Sequence, residues 1–317
     1  TQTWGFEWNP GIDNDPKITL LFESTANALG GYFRTNDEFS KLQIPDSNER
    51  EMLYLPASKI DSPDLKIYLA HEFTHMIEFN QKDRLLGVSE ETWLNEGRAD
   101  FSSTILGYDD VYDGSNLKNR VEDFLNQPND SLTEWKSSKY DYASVSLFLH
   151  YLVDRYGISV LVDSLKLKSI GIVSINDVFS KNSGRIDFAK VFTDWTVAMA
   201  INNCTGGTPY CYTNKNLLNL KISPSLIFLP LAGDSSLSLN NSTKDWAGNW
   251  QKIIGGKGDL SLQFSGVEGL VYQVPYLAYD KSNNYTLKFL TLDNKAKGQI
   301  NLKDFDTNYN SLVVIPS

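Results

Sequence analysis

The sequence predicts an α+β protein in two parts: residues 1–212 combine a mixed sheet with helices, and residues 213–317 form a smaller all-β sandwich. Three changes of pattern support this prediction. Strand-like runs fill the chain up to about residue 62, apolar residues at helical spacing follow to about residue 202, and short alternating runs return after residue 213. A chain of 317 residues is also longer than one small core needs.

Each element is predicted from a run of residues. The first sheet is predicted from KITLLFE and REMLYLP, which turn residues separate. Helical spacing predicts helices in DLKIYLAHEFTHMIEF, SEETWLNEGRADFSSTIL, YASVSLFLHYLVDRYG and DFAKVFTDWTVAMAINN. Runs such as LSLQFSG and SLVVIPS, with Gly, Asn, Asp and Pro between them, are typical of an antiparallel sandwich.

Composition indicates a soluble globular chain and excludes two classes of protein. The chain is 41% hydrophobic and 21% charged, with a net charge of -10. Neutralising phosphates needs clustered Lys and Arg, so we expect no nucleic-acid partner. No stretch approaches the ~20 apolar residues of a membrane helix, so we expect no transmembrane segment.

The two cysteines, Cys204 and Cys211, flank the turn-rich segment TGGTPY. This segment lets the chain fold back, which predicts a disulfide, although two reduced thiols are the alternative. A disulfide implies an oxidising compartment. We therefore expect a secreted, extracellular protein whose signal peptide is absent from this numbering, since none precedes TQTWGFEW.

The segment LAHEFTHMIEFN contains two of the three histidines of the chain. His71 and His75 are four residues apart, so a helix presents both imidazoles on one face, where they can bind one zinc ion. Glu72 is displaced around the helix, too far to share the ion comfortably but close enough to hold a water beside it. That is the position of a general base.

A catalytic zinc site normally takes three protein ligands, and the segment TWLNEGRAD supplies the third. Glu96 lies on the next predicted helix, and the loop between the helices is long enough to reverse the chain. Asp100, four residues later on the same face, would accept the free N–H of a liganding histidine and fix the orientation of its ring.

HEFTH followed by WLNEG resembles the glutamate-type zincins, the clan of the thermolysin-like proteases and the zinc aminopeptidases. The sequence is more closely similar to the hyicolysin-type secreted bacterial metallopeptidases, from ITLLF through GGYF and SNEREMLYLP to YDYASVSLFLHYLVDRYG. The resemblance implies a zincin-type metallopeptidase domain whose sheet has an edge strand. It also implies that His71, His75 and Glu96 bind zinc, that Glu72 is the base, and that Asp100 is the outer carboxylate.

The resemblance also implies a residue that stabilises the oxyanion formed in peptide hydrolysis. Tyr140 matches the catalytic tyrosine of the zinc aminopeptidases when residues are counted to the next helix. Tyr142 matches the pattern of a tyrosine directly before a small residue, and the preference for Tyr140 is slight. His150 lies in LFLHYL, where a satisfied core or surface histidine is more common than a catalytic one.

One departure from the aminopeptidases bears on substrate binding. Their Gly-x-Met-Glu-Asn segment, which binds a free amino terminus, is replaced here by EREMLYLP, so an endopeptidase fits better. In the clan this segment is an edge strand that binds an extended peptide by strand addition. We therefore expect one wall of the cleft to be formed by four consecutive residues: Met52, Leu53, Tyr54 and Leu55.

These features together predict a secreted zinc endopeptidase that cleaves protein or peptide substrates through a zinc-bound water activated by Glu72. Two alternatives stay open. One is a binding or adhesion protein with a structural zinc, in which residues 213–317 dock to a surface or a protein partner, and the other is a zinc exopeptidase. Two acidic loops could also bind calcium, although neither has EF-hand spacing and ordinary polar loops are favoured. The loops contain Asp13 and Asp15, and Asp109, Asp110 and Asp113.

Overall fold

The fold is given by a computed structural model, which describes residues 1–26, 30–182, 186–231 and 235–317. Contacts between Cα atoms divide the chain into two compact units. The first contains residues 1–123 and 135–188, and the second contains residues 124–134 and 189–317. The α+β class is confirmed. The predicted boundary after residue 212 stays a prediction, and the division by contacts assigns residues 189–212 to the second unit instead.

The sheet of the first unit has three strands in the order β1-β3-β2. Their bounds are Thr19–Glu23 for β1, Tyr32–Phe33 for β2 and Met52–Pro56 for β3. β3 pairs in parallel with β1 along its whole length. On its other side it pairs antiparallel with β2.

β3 is therefore the central strand, and the prediction of an edge strand there is wrong. All of its residues are buried, including the four that were expected to form a wall of the cleft: Met52, Leu53, Tyr54 and Leu55. The reason is that the apolar run MLYL does not alternate with polar residues, which is typical of a strand covered on both faces. β2 is the edge of the sheet opposite β1.

Between β3 and Ser225 the described residues form seven α-helices, and all but the first residue of the last one belongs to the second unit. The first, α1 (Leu65–Glu78), continues directly into a π-helical segment, Phe79–Arg84. The predicted helices at 64–79, 89–106, 142–157 and 187–203 are confirmed as α1, α2, α4 and α7, whereas α3 and α5 were not predicted. The bounds are Leu65–Glu78 for α1, Thr92–Ile105 for α2, Asn116–Asn126 for α3, Lys139–Tyr156 for α4, Ser159–Leu165 for α5, Gly171–Asn182 for α6 and Phe188–Ile201 for α7.

The second unit contains a sandwich of two sheets. One has five strands in the order β4-β5-β10-β7-β8, and the other pairs β6 with β9. Ile253 and Leu312 from the first sheet share one apolar core with Ile300 and Leu302 from the second. The bounds are Ser225–Leu229 for β4, Gln251–Gly255 for β5, Leu260–Ser265 for β6, Pro275–Asp280 for β7, Tyr285–Phe289 for β8, Lys297–Leu302 for β9, Phe305–Asn308 for the short helix α8 and Tyr309–Val314 for β10.

The second unit contains the predicted disulfide and one strand pair that differs from the prediction. Cys204 and Cys211 form a disulfide, as predicted. The sandwich is not wholly antiparallel, because β4 and β5 run parallel. The long connection 230–250 joins these strands, and a long connection permits a parallel pair that a tight hairpin does not.

In the parts of the chain that the structure describes, no single helix is long and apolar enough to cross a membrane. α4 and α5 reach such a length and apolar composition only when taken together, and they are bent by 109° relative to each other.

Candidate metal centre

α1 carries both histidines of the motif on one face. The rings of His71 and His75 meet edge to face, with centroids 4.8 Å apart. Their side chains are 18% and 14% exposed, so both remain accessible to a small ion. This arrangement follows from the four-residue spacing, because residues i and i+4 lie one above the other on a helix.

α2 brings Glu96 against both imidazoles. Its Oε2 lies 3.1 Å from Nε2 of His71 and 3.6 Å from Nε2 of His75. One ligand atom from each side chain lies within 4.8 Å of the others. Two imidazole nitrogens and one carboxylate oxygen form a donor set that suits Zn²⁺, which binds such atoms at about 2.0–2.2 Å. The residues present therefore fit the ion.

The charges of the three side chains are strongly linked. Burial opposes ionisation of Glu96, but hydrogen bonds from His71 and His75 hold the pKa of its carboxyl well below its usual range. Burial also opposes protonation of His75, yet the Glu96 carboxylate raises the pKa of this imidazole to about 9. A metal ion bound here must displace that proton, because only the neutral imidazole is a ligand.

Polar side chains hold α2 against α1 on both sides of Glu96. The hydroxyl groups of Thr74 and Ser102 lie 2.7 Å apart. Asn95, next to Glu96 in the chain, donates to the carboxylate of Glu78 at the end of α1. These bonds lie on either side of Glu96 along α2. They therefore fix the position of α2 along the axis of α1, and with it the position of the Glu96 carboxylate relative to the histidines.

Gly97 lets α2 pack closely on α4. A Cβ at this position would lie 2.6 Å from Cδ1 of Leu149 and 2.6 Å from Cγ1 of Val145. Carbon atoms pack at about 3.5–4.0 Å, so no larger residue fits without movement. Gly97 lies within α2 and has an ordinary helical backbone, so its conformation does not require glycine. The close approach of α4 explains the glycine instead.

Glu72 is 6% exposed and points toward the sheet. The backbone of Phe33 in β2 donates a hydrogen bond to its carboxylate. Gly31, with a φ of +117°, leaves the space that this carboxylate occupies, because a Cβ there would lie 3.2 Å from Cγ of Glu72. Burial raises the pKa of Glu72, which suits a group that must take up and return a proton.

Of the two candidate tyrosines, the structure brings Tyr142 to the metal centre. The centroid of its ring lies 6.3 Å from the centroid of the His71 ring. Burial is the largest cause that raises the pKa of its hydroxyl, and the Glu96 carboxylate is the next. The ring of Tyr140 instead contacts the Lys139 ammonium, whose nitrogen lies 5.1 Å from the ring centroid. The slight preference for Tyr140 therefore finds no support in the geometry.

Asp100 lies near the ligands, with hydrogen-bond partners that the sequence did not reveal. It accepts hydrogen bonds from Arg120 at 2.8 Å and from Asn116 at 2.8 Å, both on α3. Burial opposes its ionisation, but Arg120 holds the pKa of its carboxyl below the usual value, and His71 contributes through its charge. Among the described residues, its hydrogen bonds go to α3 and none goes to an imidazole. Direct orientation of a ring by Asp100 stays a prediction.

His150 and the acidic loops have ordinary structural partners. His150 is buried, and its ring nitrogens lie 2.8 Å from the Ser146 carbonyl oxygen and 3.0 Å from the Thr104 hydroxyl. Asp109 accepts from Thr104, and Asp113 pairs with Lys118 on the surface. Calcium binding by these loops stays a prediction.

Sequence reasoning missed the residues that surround the ligands from other elements. The guanidinium carbon of Arg120 lies 4.7 Å from the ring centroid of Tyr142. The Trp135 ring packs on the same tyrosine, with centroids 4.8 Å apart. Buried Arg98, two residues after Glu96, pairs with Glu90 at 2.9 Å. The segment NLKNRVEDFLN around Arg120 has apolar residues at helical spacing, so helix α3 could have been found, but its position against α2 could not.

Comparisons with known proteins give one partial likeness. No family model matches the chain. The chain is 31% identical over 167 residues to a protein named neutral metalloprotease ShpI from Staphylococcus hyicus. The match covers 44% of this chain and 36% of that relative, so the chain spans little more than a third of the length of the curated relative that it matches.

Proposed function

We propose that the chain is a zinc-dependent endopeptidase of the glutamate-type zincin class, related to the hyicolysin-type metallopeptidases. The observation that carries this proposal is the convergence of His71, His75 and Glu96, with the buried carboxylate of Glu72 beside them. The partial match to a protein named as a metalloprotease supports a metalloprotease in general. The metal ligands, the base and the endopeptidase activity belong to the proposal.

His71, His75 and Glu96 would hold the ion. When bound, zinc supplies Lewis-acid polarisation of a carbonyl group and lowers the pKa of water. Glu72 takes the proton from the attacking water and returns it to the leaving amine. The hydroxyl of Tyr142 donates to the oxygen that becomes negative, because peptide hydrolysis develops charge there.

The substrate would lie along β2, since β3 is the central strand of its sheet. β2 contains Tyr32 and Phe33 and pairs with β3 on one side only within the described residues. An extended peptide could add to its other side through main-chain hydrogen bonds. Because Phe33 also contacts Glu72, such a peptide would pass close to the base.

The proposal extends to the location of the protein and to the C-terminal part. The Cys204–Cys211 disulfide favours an oxidising compartment, and we propose that the protein is secreted. The sandwich of residues 213–317 is proposed as a separate domain that docks the enzyme to a surface or a protein partner.

A single substitution tests the role of the base. Glu72→Gln keeps the shape of the side chain and removes its proton-accepting charge. We expect this variant to bind zinc like the wild type and to cleave unfolded casein at least about 10²–10⁴ times more slowly, the contribution of a general base. The control is Glu122→Gln, an exposed position on α3, which should retain full activity.

Metal content and products complete the test. Glu96→Gln should lose zinc, and a chelator should stop cleavage by the wild type. New termini inside the casein chain, and cleavage of peptides with blocked ends, would distinguish an endopeptidase from an exopeptidase. Casein cleavage by Glu72→Gln at the native rate would show that the assigned role is wrong.

A further inference from the structure

We infer that the chain has a second cation site, at which Glu38 and Glu51 bind Ca²⁺. Glu38 ends the short 3₁₀ helix Thr35–Glu38, and Glu51 directly precedes β3. Each of the two residues is only 2% exposed. Neither belongs to the candidate metal centre, so this inference goes beyond the proposed function and does not depend on it.

The carboxylates of this site lack the partners that buried carboxylates need. On Glu38, Glu51 and Glu7, four buried oxygens accept no hydrogen bond from an N–H or hydroxyl group of the described residues: both oxygens of Glu38, Oε2 of Glu51 and Oε2 of Glu7. Burying a carboxylate without such partners is strongly unfavourable. Glu7 lines the same pocket as Glu51, together with Asn9 and Asp15, which add further oxygen atoms, and with Lys17, the one cationic side chain of this lining.

The backbone of the N-terminal loop passes close to the Glu51 carboxylate. The N–H of Ile12 donates to its Oε1 at 2.7 Å. Gly11 has a φ of +86°, and a Cβ there would lie 2.0 Å from the same carboxylate. Only glycine allows the chain to pass so closely in this conformation. The N-terminal loop therefore encloses a carboxylate that is already buried.

The neighbouring acidic groups have partners of their own. Asp13 pairs with Arg50 at 3.2 Å. Asp37, adjacent to Glu38, accepts a hydrogen bond from the Tyr54 hydroxyl at 2.6 Å. The unsatisfied negative charge is thus concentrated on Glu38 and Glu51.

Arg84, a cation whose charge acts on Glu38, does not neutralise this pair. The charge of Arg84 acts on Glu38 and lowers its pKa, but this is a smaller effect than burial. The guanidinium donates to Asn80 at 3.3 Å and lies over the ring of Trp8 at 4.1 Å. Arg84 makes no hydrogen bond to Glu38 within the described part of the chain.

A shared proton is the competing explanation, and it satisfies fewer atoms. Burial, followed by the charge of Glu51, raises the pKa of Glu38 to about 8. A proton can join one oxygen of Glu38 to one of Glu51, but it leaves the other Glu38 oxygen and that of Glu7 unpartnered. Ca²⁺ takes about six to eight oxygens from carboxylates, backbone carbonyls and water in flexible geometry, so it can bind oxygens of both Glu38 and Glu51 at once.

Terbium luminescence tests the site on the full zinc-loaded chain. Tb³⁺ replaces Ca²⁺ and emits when a nearby tryptophan is excited, and Trp8 lines the pocket with Glu7 and Glu51. We expect Tb³⁺ emission that Ca²⁺ competes away. Trp8→Phe should weaken the emission while calcium binding, measured by calorimetry, persists.

Neutral variants then assign the binding to these carboxylates. In Glu38→Gln/Glu51→Gln the calcium affinity should fall by more than about 10–100-fold, the loss that even outer-shell changes at metal sites cause. Calcium should raise the thermal midpoint of the wild type by mass action and leave that of the double variant unchanged. Glu122→Gln, an exposed carboxylate in the same unit, is the matched control and should behave like the wild type.

Three results would overturn the inference. The first is a wild-type midpoint that calcium does not change, and the second is an equal calcium shift in the double variant. The third is a midpoint that rises when the pH is lowered but not when calcium is added, which would identify a shared proton. If the double variant does not fold, Glu38→Gln alone decides the question, since it leaves the bond from Ile12 to Glu51 in place. Zinc content should be the same in all variants, which separates this test from that of the proposed function.

Discussion

Gly97→Ala is predicted to weaken both the fold and the candidate metal centre. The added Cβ would lie 2.6 Å from methyl carbons of Val145 and of Leu149 on α4. Carbon atoms pack at about 3.5–4.0 Å, so α2 and α4 must separate by roughly 1 Å. Both neighbours are buried, at 1% and 0% exposure, so their side chains have little room to yield.

The magnitude follows from two opposing effects. Overpacking of a core costs about 1–3 kcal/mol. Alanine is a better helix former than glycine by about 0.5–1 kcal/mol, which offsets part of this cost. We expect a net loss of about 1–2 kcal/mol, which lowers the thermal midpoint of a unit of this size by about 2–8 °C. Because Glu96 is adjacent in the chain, zinc affinity should also fall, by about 10–100-fold.

Thermal unfolding followed by circular dichroism, and zinc competition with a chromophoric chelator, measure these two effects. A double-mutant cycle with Val145→Ala supplies the control, because it removes one of the two colliding methyl groups. The two substitutions should couple favourably by about 0.5–3 kcal/mol. A Gly97→Ala variant as stable as the wild type, with purely additive effects in the cycle, would refute the packing argument.

Two further predictions concern the metal centre. Tyr142→Phe should lower kcat by about 10²–10³-fold with little change in KM, which is the loss expected for one oxyanion donor. Tyr140→Phe should stay near the wild-type rate on the same peptide. Equal losses in both variants would contradict the assignment to Tyr142. The apparent zinc affinity should rise with pH up to about 9, since Glu96 raises the pKa of the His75 imidazole from 6.5 to about 9 in the metal-free chain and zinc must displace that proton. By the same shift, protonation of His75 stabilises the metal-free fold fully below pH 6.5, and this contribution is lost as the pH rises through about 9. Chelator competition at several pH values measures the affinity, and a flat profile between pH 6.5 and 9 would contradict the predicted proton release.

Patterns within single helices were readable because helix geometry relates near neighbours in the chain. The spacing of His71 and His75 places both rings on one face of α1, and the structure has them there. Likewise, the turn residues between Cys204 and Cys211 predicted a disulfide that the structure contains. Each of these expectations depends on residues that are close in sequence.

Strand order could not be read from the sequence in the same way. The segment MLYLP was correctly predicted to be extended, but whether a strand is central or at an edge depends on which strands pair with it. β1 begins 33 positions before β3, and their register pairs Thr19 with Met52. The choice between Tyr140 and Tyr142 was of the same kind, because it depends on how α4 packs against α2.

The sequence by itself identified the side chains of the candidate metal centre: two imidazoles one helical turn apart, the carboxylate that lies between them in the chain, and a further carboxylate in WLNEG. Only the tertiary structure decided that Glu96 reaches both rings and that Glu38 lies beside Glu51. It also decided that Arg120 and Asn116 are the hydrogen-bond donors to Asp100. The physical reason is that local backbone geometry sets contacts over three or four residues. Contacts over longer separations depend on how all the apolar faces pack together, which no short segment encodes alone.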